Sequence, residues 1–409
     1  MALNCELPPD EGTIRGEIEL SRGATASKLA QTPQMGFNTW NSFKGNYNES
    51  TANQIASLLI SLGLKDAGYN YLILDEGWSD MARTTDGYLQ SNQSTFSNGI
   101  VPLAERVHDM GLKLGLYGDS GILTCGFRPG SWGYEERDAR TLASWGVDYW
   151  KYDNCGGFQA MSNAPQERFA VMRDALERSG REIFYSVCEW GFQFPWHWGG
   201  EIGHSYRMSG DITATFINET GCPCKTAYCL NTGYAGCSVT SILRKMREIS
   251  VYQKPGHWLD MDMLEVGVGS MTVYMEQTHF AFWAALKSPL IIGADLRTLR
   301  NESLAVLTNR DVIAINQDSL GEPVHFVQGV SVEGALQVWA GEVKGGNVVL
   351  VFNEKSYSQD VDVSLKELGL GIQRPVRAKE LWSGKSWGKI DRVKAELGAY
   401  QTLVFRITR

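Results

Sequence analysis

No stretch of the 409-residue chain is apolar for long enough to cross a bilayer. The longest such runs, Phe280–Leu286 and Pro289–Ile292, are parted by Lys287 and Ser288, short of the ~18 residues a spanning helix needs. The first thirty residues carry Glu, Asp, Arg and Pro and lack the apolar segment of a secretion signal. A basic excess is missing too. With 38 Lys+Arg against 46 Asp+Glu the net charge is −8, which argues against nucleic acid or an anionic membrane as the main partner. Histidine is scarce, at six, and no H-E-x-x-H occurs, so a histidine-built catalytic metal site is disfavoured. No G-x-G-x-x-G opens the first helix, and Gly118-Asp119-Ser120-Gly121 is a poor imitation, which speaks against a doubly wound dinucleotide-binding sheet. Internal repeats and low-complexity tracts are absent. No cofactor and no metal is expected, although an all-oxygen Mg²⁺ site is a competing reading of the carboxylates described below.

Hydrophobic residues at 43% and charged residues at 21% describe a globular chain with ample core. Thirteen Trp and 16 Tyr serve partly as core and partly suit stacking on sugar rings. Of eight cysteines, four crowd into Cys222-Pro223-Cys224, Cys229 and Cys237. Zinc is the competing reading, but no histidine lies in this polar loop. Nested disulfides, Cys222 with Cys237 around Cys224 with Cys229, fit better. Four N-x-[ST] sequons, at Asn48, Asn92, Asn218 and Asn301, point the same way. The chain therefore reads as a secreted, extracellular protein whose signal precedes this numbering.

From Gln34 to about Leu296 a short apolar run, a polar loop and a helical segment recur. The apolar runs are Met35–Phe43, Tyr71–Trp78, Leu112–Asp119, Val147–Asp153, Ile183–Trp190, Tyr206–Ile212, Trp258–Met263 and Pro289–Ala294. Helical spacing appears at Ile55, Leu58, Leu59 and Leu62, capped by Ser50 or Thr51, at Ile242, Met246 and Ile249, and from Val273 to Leu286. Eight strand-plus-helix units over roughly 260 residues have the rhythm of a closed parallel (β/α)₈ TIM barrel. After Asp318 the pattern alternates without helical period, except at Leu365–Leu368, and predicts a C-terminal antiparallel β-sandwich. The organisation expected is an N-terminal extension at 1–31, a barrel at 32–320 and a sandwich at 321–409.

Chemistry in such barrels gathers where the strands end. Here the ends are Asp75-Glu76, Tyr117-Gly118-Asp119, Lys151-Tyr152-Asp153, Cys188-Glu189-Trp190, Arg207-Met208-Ser209-Gly210-Asp211 and Asp260-Met261-Asp262-Met263. One carboxylate at a strand end is usually a cap for the next helix. Carboxylates at six ends, mixed with Trp, Tyr, Lys and Arg, describe an acidic pocket with aromatic walls. Glycoside hydrolysis suits it, with two carboxylates reacting and the others holding hydroxyls of an oligo- or polysaccharide.

Met35-Gly36-Phe37-Asn38-Thr39-Trp40-Asn41-Ser42, Lys151-Tyr152-Asp153-Asn154-Cys155, Arg207-Met208-Ser209-Gly210-Asp211 and Asp262-Met263-Leu264-Glu265-Val266-Gly267 resemble glycoside hydrolase family 27. This is the family of α-galactosidases and α-N-acetylgalactosaminidases, with β-L-arabinopyranosidases among its members. The resemblance runs from about Thr32 to Asp318 with the motifs in order. It implies a retaining exo-glycosidase in which Asp153 is the nucleophile and Asp211 the acid/base. Lys151, two residues from Asp153 and so on the same strand face, should keep it ionised. The resemblance places Trp40, Tyr117 and Met263 as pocket walls and Lys151, Arg207 and Asp262 on hydroxyls, with Trp190 beside Glu189. It pairs Cys125 with Cys155 and leaves Cys5 and Cys188 without partners. Barrel core is the competing reading for the aromatics, and a non-catalytic sugar-binding barrel for the whole.

Two positions bear on the substrate. Glu189 stands where members preferring a free 2-hydroxyl carry Glu, which argues against an acetamido sugar. Glu76 departs from the usual Asp-Asp pair that grips the 4- and 6-hydroxyls. Its reach is about 1.5 Å longer, into the space of a C6 hydroxymethyl. An α-galactosidase is expected first, and a β-L-arabinopyranosidase, whose sugar lacks C6, is the alternative. The family's disulfide between the first-strand loop and the residue after the Asp-Asp pair is missing, since Lys44, Gly45 and Gly77 stand there.

Overall fold

A computed structural model describes residues 28–156, 164–218, 221–222, 224, 226–229 and 235–408. Eight parallel strands form its central sheet: β1 (Met35–Asn38), β2 (Tyr71–Leu74), β3 (Lys113–Asp119), β4 (Tyr149–Asp153), β5 (Phe184–Val187), β6 (Ser205–Arg207), β7 (Trp258–Asp260) and β8 (Leu290–Ile292). They are ordered β8-β1-β2-β3-β4-β5-β6-β7. The ring closes through Leu264, which bridges to Ile292 and donates its N–H to the Ile291 carbonyl at 2.7 Å. Strands buried on both faces need near-continuous apolar sequence, and β1, β2 and β5 are buried at every position.

The strands are shorter than the apolar runs that predicted them. The Met35–Phe43 run stops being a strand at Asn38, and Trp40–Phe43 turns into a short helix. The Tyr206–Ile212 run breaks after Arg207, and Asp211–Ile212 pairs instead with Ala235–Cys237 in a separate two-stranded ladder. A barrel wall uses only three to seven residues per strand, and the remaining apolar residues turn over the mouth. The first long helix is Glu49–Ser61, and its cap is Asn48 rather than Ser50 or Thr51. The Asn48 side chain accepts the Thr51 N–H at 2.9 Å from an extended backbone, as an N-cap requires.

The barrel floor is aromatic. Tyr149 stacks on Phe184 with centroids 5.0 Å apart, and Tyr71 packs against both. Beneath them a single 3₁₀ turn, Lys28–Ala30, plugs the N-terminal end, its Ala30 carbonyl accepting from Trp258 Nε1 at 2.9 Å. Part of the segment expected to be an extension thus completes the barrel.

The C-terminal region is antiparallel, with one six-stranded and one two-stranded sheet. Of the segments expected as strands, Leu336–Trp339, Asn347–Phe352, Gln359–Val363 and Thr402–Ile407 lie within strands and Ala378–Trp382 is displaced to Val376–Glu380, and three more strands join them: His325–Phe326, Ser386–Ile390 and Arg392–Leu397. Ser386–Ile390 has no fully buried residue, and its two apolar residues, Trp387 and Ile390, stand three apart and so do not alternate as a strand's would. The sandwich is fused to the barrel through the helix Val273–Ala285. Phe282 lies 5.5 Å from Trp339 and 5.7 Å from Phe352, and Thr278 Oγ1 donates to the Tyr400 carbonyl at 2.7 Å.

Candidate active site

Alternation along β4 sends Trp150 and Tyr152 outward into the core under the helices and Lys151 and Asp153 inward. The inward pair meets residues from β2 and β3. Lys151 Nζ donates to Asp75 Oδ2 at 2.6 Å, and Asn38 Nδ2 reaches the same oxygen at 2.8 Å. The Tyr117 hydroxyl donates to Asp153 Oδ2 at 2.9 Å. One local device repeats around the mouth. Asp75, Asp153 and Asp262 each accept the N–H of the next residue, at 2.9, 3.0 and 2.8 Å. The chain turns just after each carboxylate and fixes its orientation.

On the far side Arg207 gathers the β6 and β7 ends. Its Nη2 lies 3.1 Å from Asp211 Oδ1 and 2.9 Å from Asp262 Oδ2, and it donates to the Ser209 carbonyl at 3.0 Å. Asp262 also accepts the Ile212 N–H at 2.8 Å, which joins the Asp211 ladder to β7. Asp262 adopts a φ of 76°, a left-handed conformation uncommon for a residue with a side chain.

The two principal carboxyls differ in exposure. Asp153 is 6% exposed, whereas the Asp211 side chain is 38% exposed. Burial pushes Asp153 up to about 6; the Lys151 charge and the bonds from Tyr117 and Asn154 oppose this, and the Asp211 charge adds to it. Removal from water also raises Asp211, against the pull of the Arg207 guanidinium. Burial alone would lower Lys151, but the charges led by Asp75 hold it well above the usual lysine range. It remains a cation beside Asp153.

The third side of the site is the loop after β3. Cys125 is disulfide-bonded to Cys155, and its Sγ lies 3.3 Å from Asp153 Oδ2. Cys222–Cys237 and Cys224–Cys229 are the other disulfides, so those four sulfurs are committed to each other and not to zinc. Cys188 is a buried free thiol, and Cys5 lies outside the described residues. Asp119, Cys125, Asp153 and Cys155 converge closely enough to suggest a metal. Two of those four are the sulfurs of one disulfide, which leaves two carboxylates and no cage.

Trp40 is half-buried beside Met263 above the barrel floor, with Lys44 Nζ 4.9 Å over its ring. Trp190 is buried at a φ of 55°. Glu189 is fully buried, and neither carboxyl oxygen has a hydrogen-bond partner among the described residues. Burial holds its pKa well up, eased by Arg168. Glu76 turns away from Asp75 into the disulfide loop: Oε2 accepts the Gly126 N–H at 2.9 Å, and Oε1 lies 3.1 Å from Arg128 Nε. Where the family's additional bridge is missing, Gly77, at φ 120°, packs so closely that a Cβ there would sit 3.0 Å from Gly45 Cα.

Three participants were not singled out in sequence. Asn38 lay inside a quoted motif. Asp260, pushed by burial up to about 6 against Arg207, lay at a quoted strand end. Arg128 had no signal, because its partner Glu76 is distant in sequence and only the folded loop joins them.

An enclosed carboxylate beside a lysine, facing a more open carboxyl held by arginine at the C-terminal mouth of a parallel barrel, is the equipment of a glycoside hydrolase. Residues 32–318 match the family described as alpha galactosidase A, and residues 333–407 match the alpha galactosidase C-terminal beta sandwich domain. The chain belongs to this family, glycoside hydrolase family 27. It is 40% identical over 394 residues to alpha-galactosidase 2 of Arabidopsis thaliana, covering 95% of this chain and 92% of that one. The crystal structure of alpha-galactosidase I from Mortierella vinacea superposes with a TM-score of 0.89 at 36% identity, covering 94% of this chain and 98% of that one. A β-L-arabinopyranosidase from Geobacillus stearothermophilus, at 22% identity and a TM-score of 0.78 over 94% of this chain and 99% of that one, shares the fold.

Proposed function

We propose that this chain removes terminal α-D-galactopyranosyl residues from oligo- or polysaccharides by double displacement. An Asp153 carboxylate oxygen attacks the anomeric carbon while Asp211 gives its proton to the departing glycosidic oxygen. The glycosidic C–O bond breaks and a galactosyl–Asp153 ester forms. Asp211, now a carboxylate, takes a proton from water, which attacks the same carbon and releases galactose with its original anomeric configuration. The carrying observation is the unequal pair: Asp153 enclosed and bonded by Tyr117 and the Asn154 N–H, Asp211 open and held by Arg207. Lys151, Asp75, Arg207 and Asp262 surround the pair with groups that bind hydroxyls. Trp40, Tyr117, Trp190 and Met263 supply walls. Glu189, whose carboxyl oxygens are without a hydrogen-bond partner among the described residues, suits a free 2-hydroxyl over an acetamide.

A second reading, a β-L-arabinopyranosidase, rests on Glu76. Its extra methylene would fill the C6 space if the side chain lay along the pocket, but it is drawn into the loop by Gly126 and Arg128. The galactoside reading is therefore the one the geometry favours. It is tested by kcat/KM on nitrophenyl α-D-galactopyranoside, β-L-arabinopyranoside and N-acetyl-α-galactosaminide. The first should lead and the third should be refused. Preference for the arabinoside would reverse the assignment, and turnover of none would return the barrel to a sugar-binding role.

The organisation is read as a catalytic barrel at 32–320 and a sandwich at 321–409. Three disulfides among the described residues support residence in an oxidising compartment, outside the cell. Asn48 and Asn301 are exposed and suit glycan attachment. Asn218 accepts the Gly221 N–H and donates to the Gly236 carbonyl, so it is the poorer acceptor.

A further inference from the structure

We propose that Arg128 is a positioning residue that decides how much room the pocket leaves for the exocyclic C6 group of a hexose. The inference rests on the reading of Asp75-Glu76 as the end of the pocket that meets the 4- and 6-hydroxyls. Glu76 has one bond more than aspartate between its backbone and its carboxylate, and that extra reach has to be placed somewhere. The structure places it in the loop after β3. The Glu76 and Arg128 side chains are 7% and 16% exposed, so their ion pair at 3.1 Å is largely out of water, where a lost partner matters more than at the surface. Arg128 is itself held firmly. Its N–H donates to Thr124 Oγ1 at 3.0 Å, its carbonyl accepts the Thr124 N–H at 2.8 Å, and its Nη1 donates to the Ser79 carbonyl. The neighbouring Cys125–Cys155 disulfide ties this hairpin to the end of β4 beside Asp153.

Gly126 is the second half of the device. A Cβ at that position would lie 2.7 Å from the Glu76 carboxyl carbon and 2.9 Å from its Cγ. Only a glycine there lets the carboxylate dock against the loop backbone and accept its N–H. Arginine pulls Glu76 back, and glycine makes the berth. Without the arginine the longer arm loses its ion-pair partner, without the glycine it loses its berth, and in either case it swings back toward the polar groups around Asp75. There it takes up the volume of a hexose C6 and leaves a pentopyranose, which has none, comparatively undisturbed.

The test compares wild type, Arg128→Ala, Arg128→Lys, Gly126→Ala, Glu76→Asp and the Arg128→Ala/Glu76→Asp double variant. Two readouts are taken: kcat/KM on the nitrophenyl galactoside and arabinopyranoside, and Ki for free D-galactose and L-arabinose. Arg128→Ala and Gly126→Ala should each lower the galactoside-to-arabinoside ratio by roughly 10–100-fold, with the Ki values moving in parallel and Arg128→Lys falling between. In the Glu76→Asp background, whose side chain is too short to reach the loop, removing Arg128 should leave the ratio unchanged. Equal losses on both glycosides, or the same shift with and without Glu76, would overturn the proposal. A wild type that prefers the arabinoside would defeat the galactosidase reading alone, because the coupling between Arg128 and Glu76 is still read from the double variant.

Discussion

Lys151 carries the electrostatics of the site at the scale of single residues. It is bonded to Asp75 and opposes the burial that raises Asp153 to about 6. In the proposed roles Asp153 must be ionised to attack, so the rate rises as pH climbs through its pKa. Asp211 must hold its proton to act as the acid, so the rate falls as pH climbs through its raised pKa. The kcat/KM profile is expected to be a bell on the acid side of neutrality, and a maximum above pH 8 would contradict the roles. Lys151→Met removes the charge that favours the Asp153 carboxylate, so its acid limb should move to higher pH; an unmoved limb would count against the pairing. The same burial makes Asp153 a liability to stability. Its folded pKa lies above the unfolded value near 3.9, so its contribution is most favourable below that value and is lost as pH rises through about 6. Asp153→Asn should therefore raise the thermal midpoint at pH 7, by the equivalent of about 1–3 kcal/mol, with the gain shrinking toward pH 4. Thermal unfolding of both proteins at the two pH values measures it.

Sequence reasoning worked best for single elements whose residues carry a local signal. The inward Lys151 and Asp153 follow from strand alternation, and the carboxylates follow from their place at strand ends. The turn that points each carboxylate, made by the next residue's N–H, is also local. What was not legible depends on approach between distant segments. Examples are Arg128 against Glu76, Gly45 against Gly77, and the break after Arg207 that sends Asp211 into a ladder with Ala235–Cys237. The cap Asn48 was not legible because Asn48, Ser50 and Thr51 can all cap, and only the helix's start at Glu49 selects among them. Among the elements, the hairpin after β3 has the clearest test. Replacing both Cys125 and Cys155 by serine frees the wall that holds the Glu76 carboxylate and touches Asp153. Stability should fall by about 2–4 kcal/mol, and kcat/KM should fall further than the lost folded fraction explains. Activity per folded molecule equal to wild type would show that the hairpin needs no tether.

At the scale of the whole molecule, barrel and sandwich are one packed body. The helix Val273–Ala285 is buried almost all round, as a helix between two layers must be. One side gives Phe282 and Thr278 to the sandwich. On the other, Trp283 Nε1 donates to the Asp262 carbonyl at 2.7 Å and His279 Nε2 accepts the Glu265 N–H at 2.9 Å. The sandwich therefore supports the β7 end of the site through this helix. Phe282→Ala should cost about 3–5 kcal/mol, seen as a lower denaturation midpoint, and should weaken activity through Asp262. A midpoint unchanged from wild type would mean that the two layers are independent. The account as a whole depends on Asp153 becoming bonded to the sugar. The most direct measurement traps that ester with a slow 2-fluoro galactosyl substrate bearing a good leaving group, followed by peptide mass spectrometry. The prediction is one 2-fluorogalactosyl adduct per chain, on the peptide containing Asp153, absent in Asp153→Asn and longer-lived in Asp211→Asn, which lacks the base for the attack of water. An adduct on Asp211 or Asp119, or steady turnover with no adduct, would contradict it.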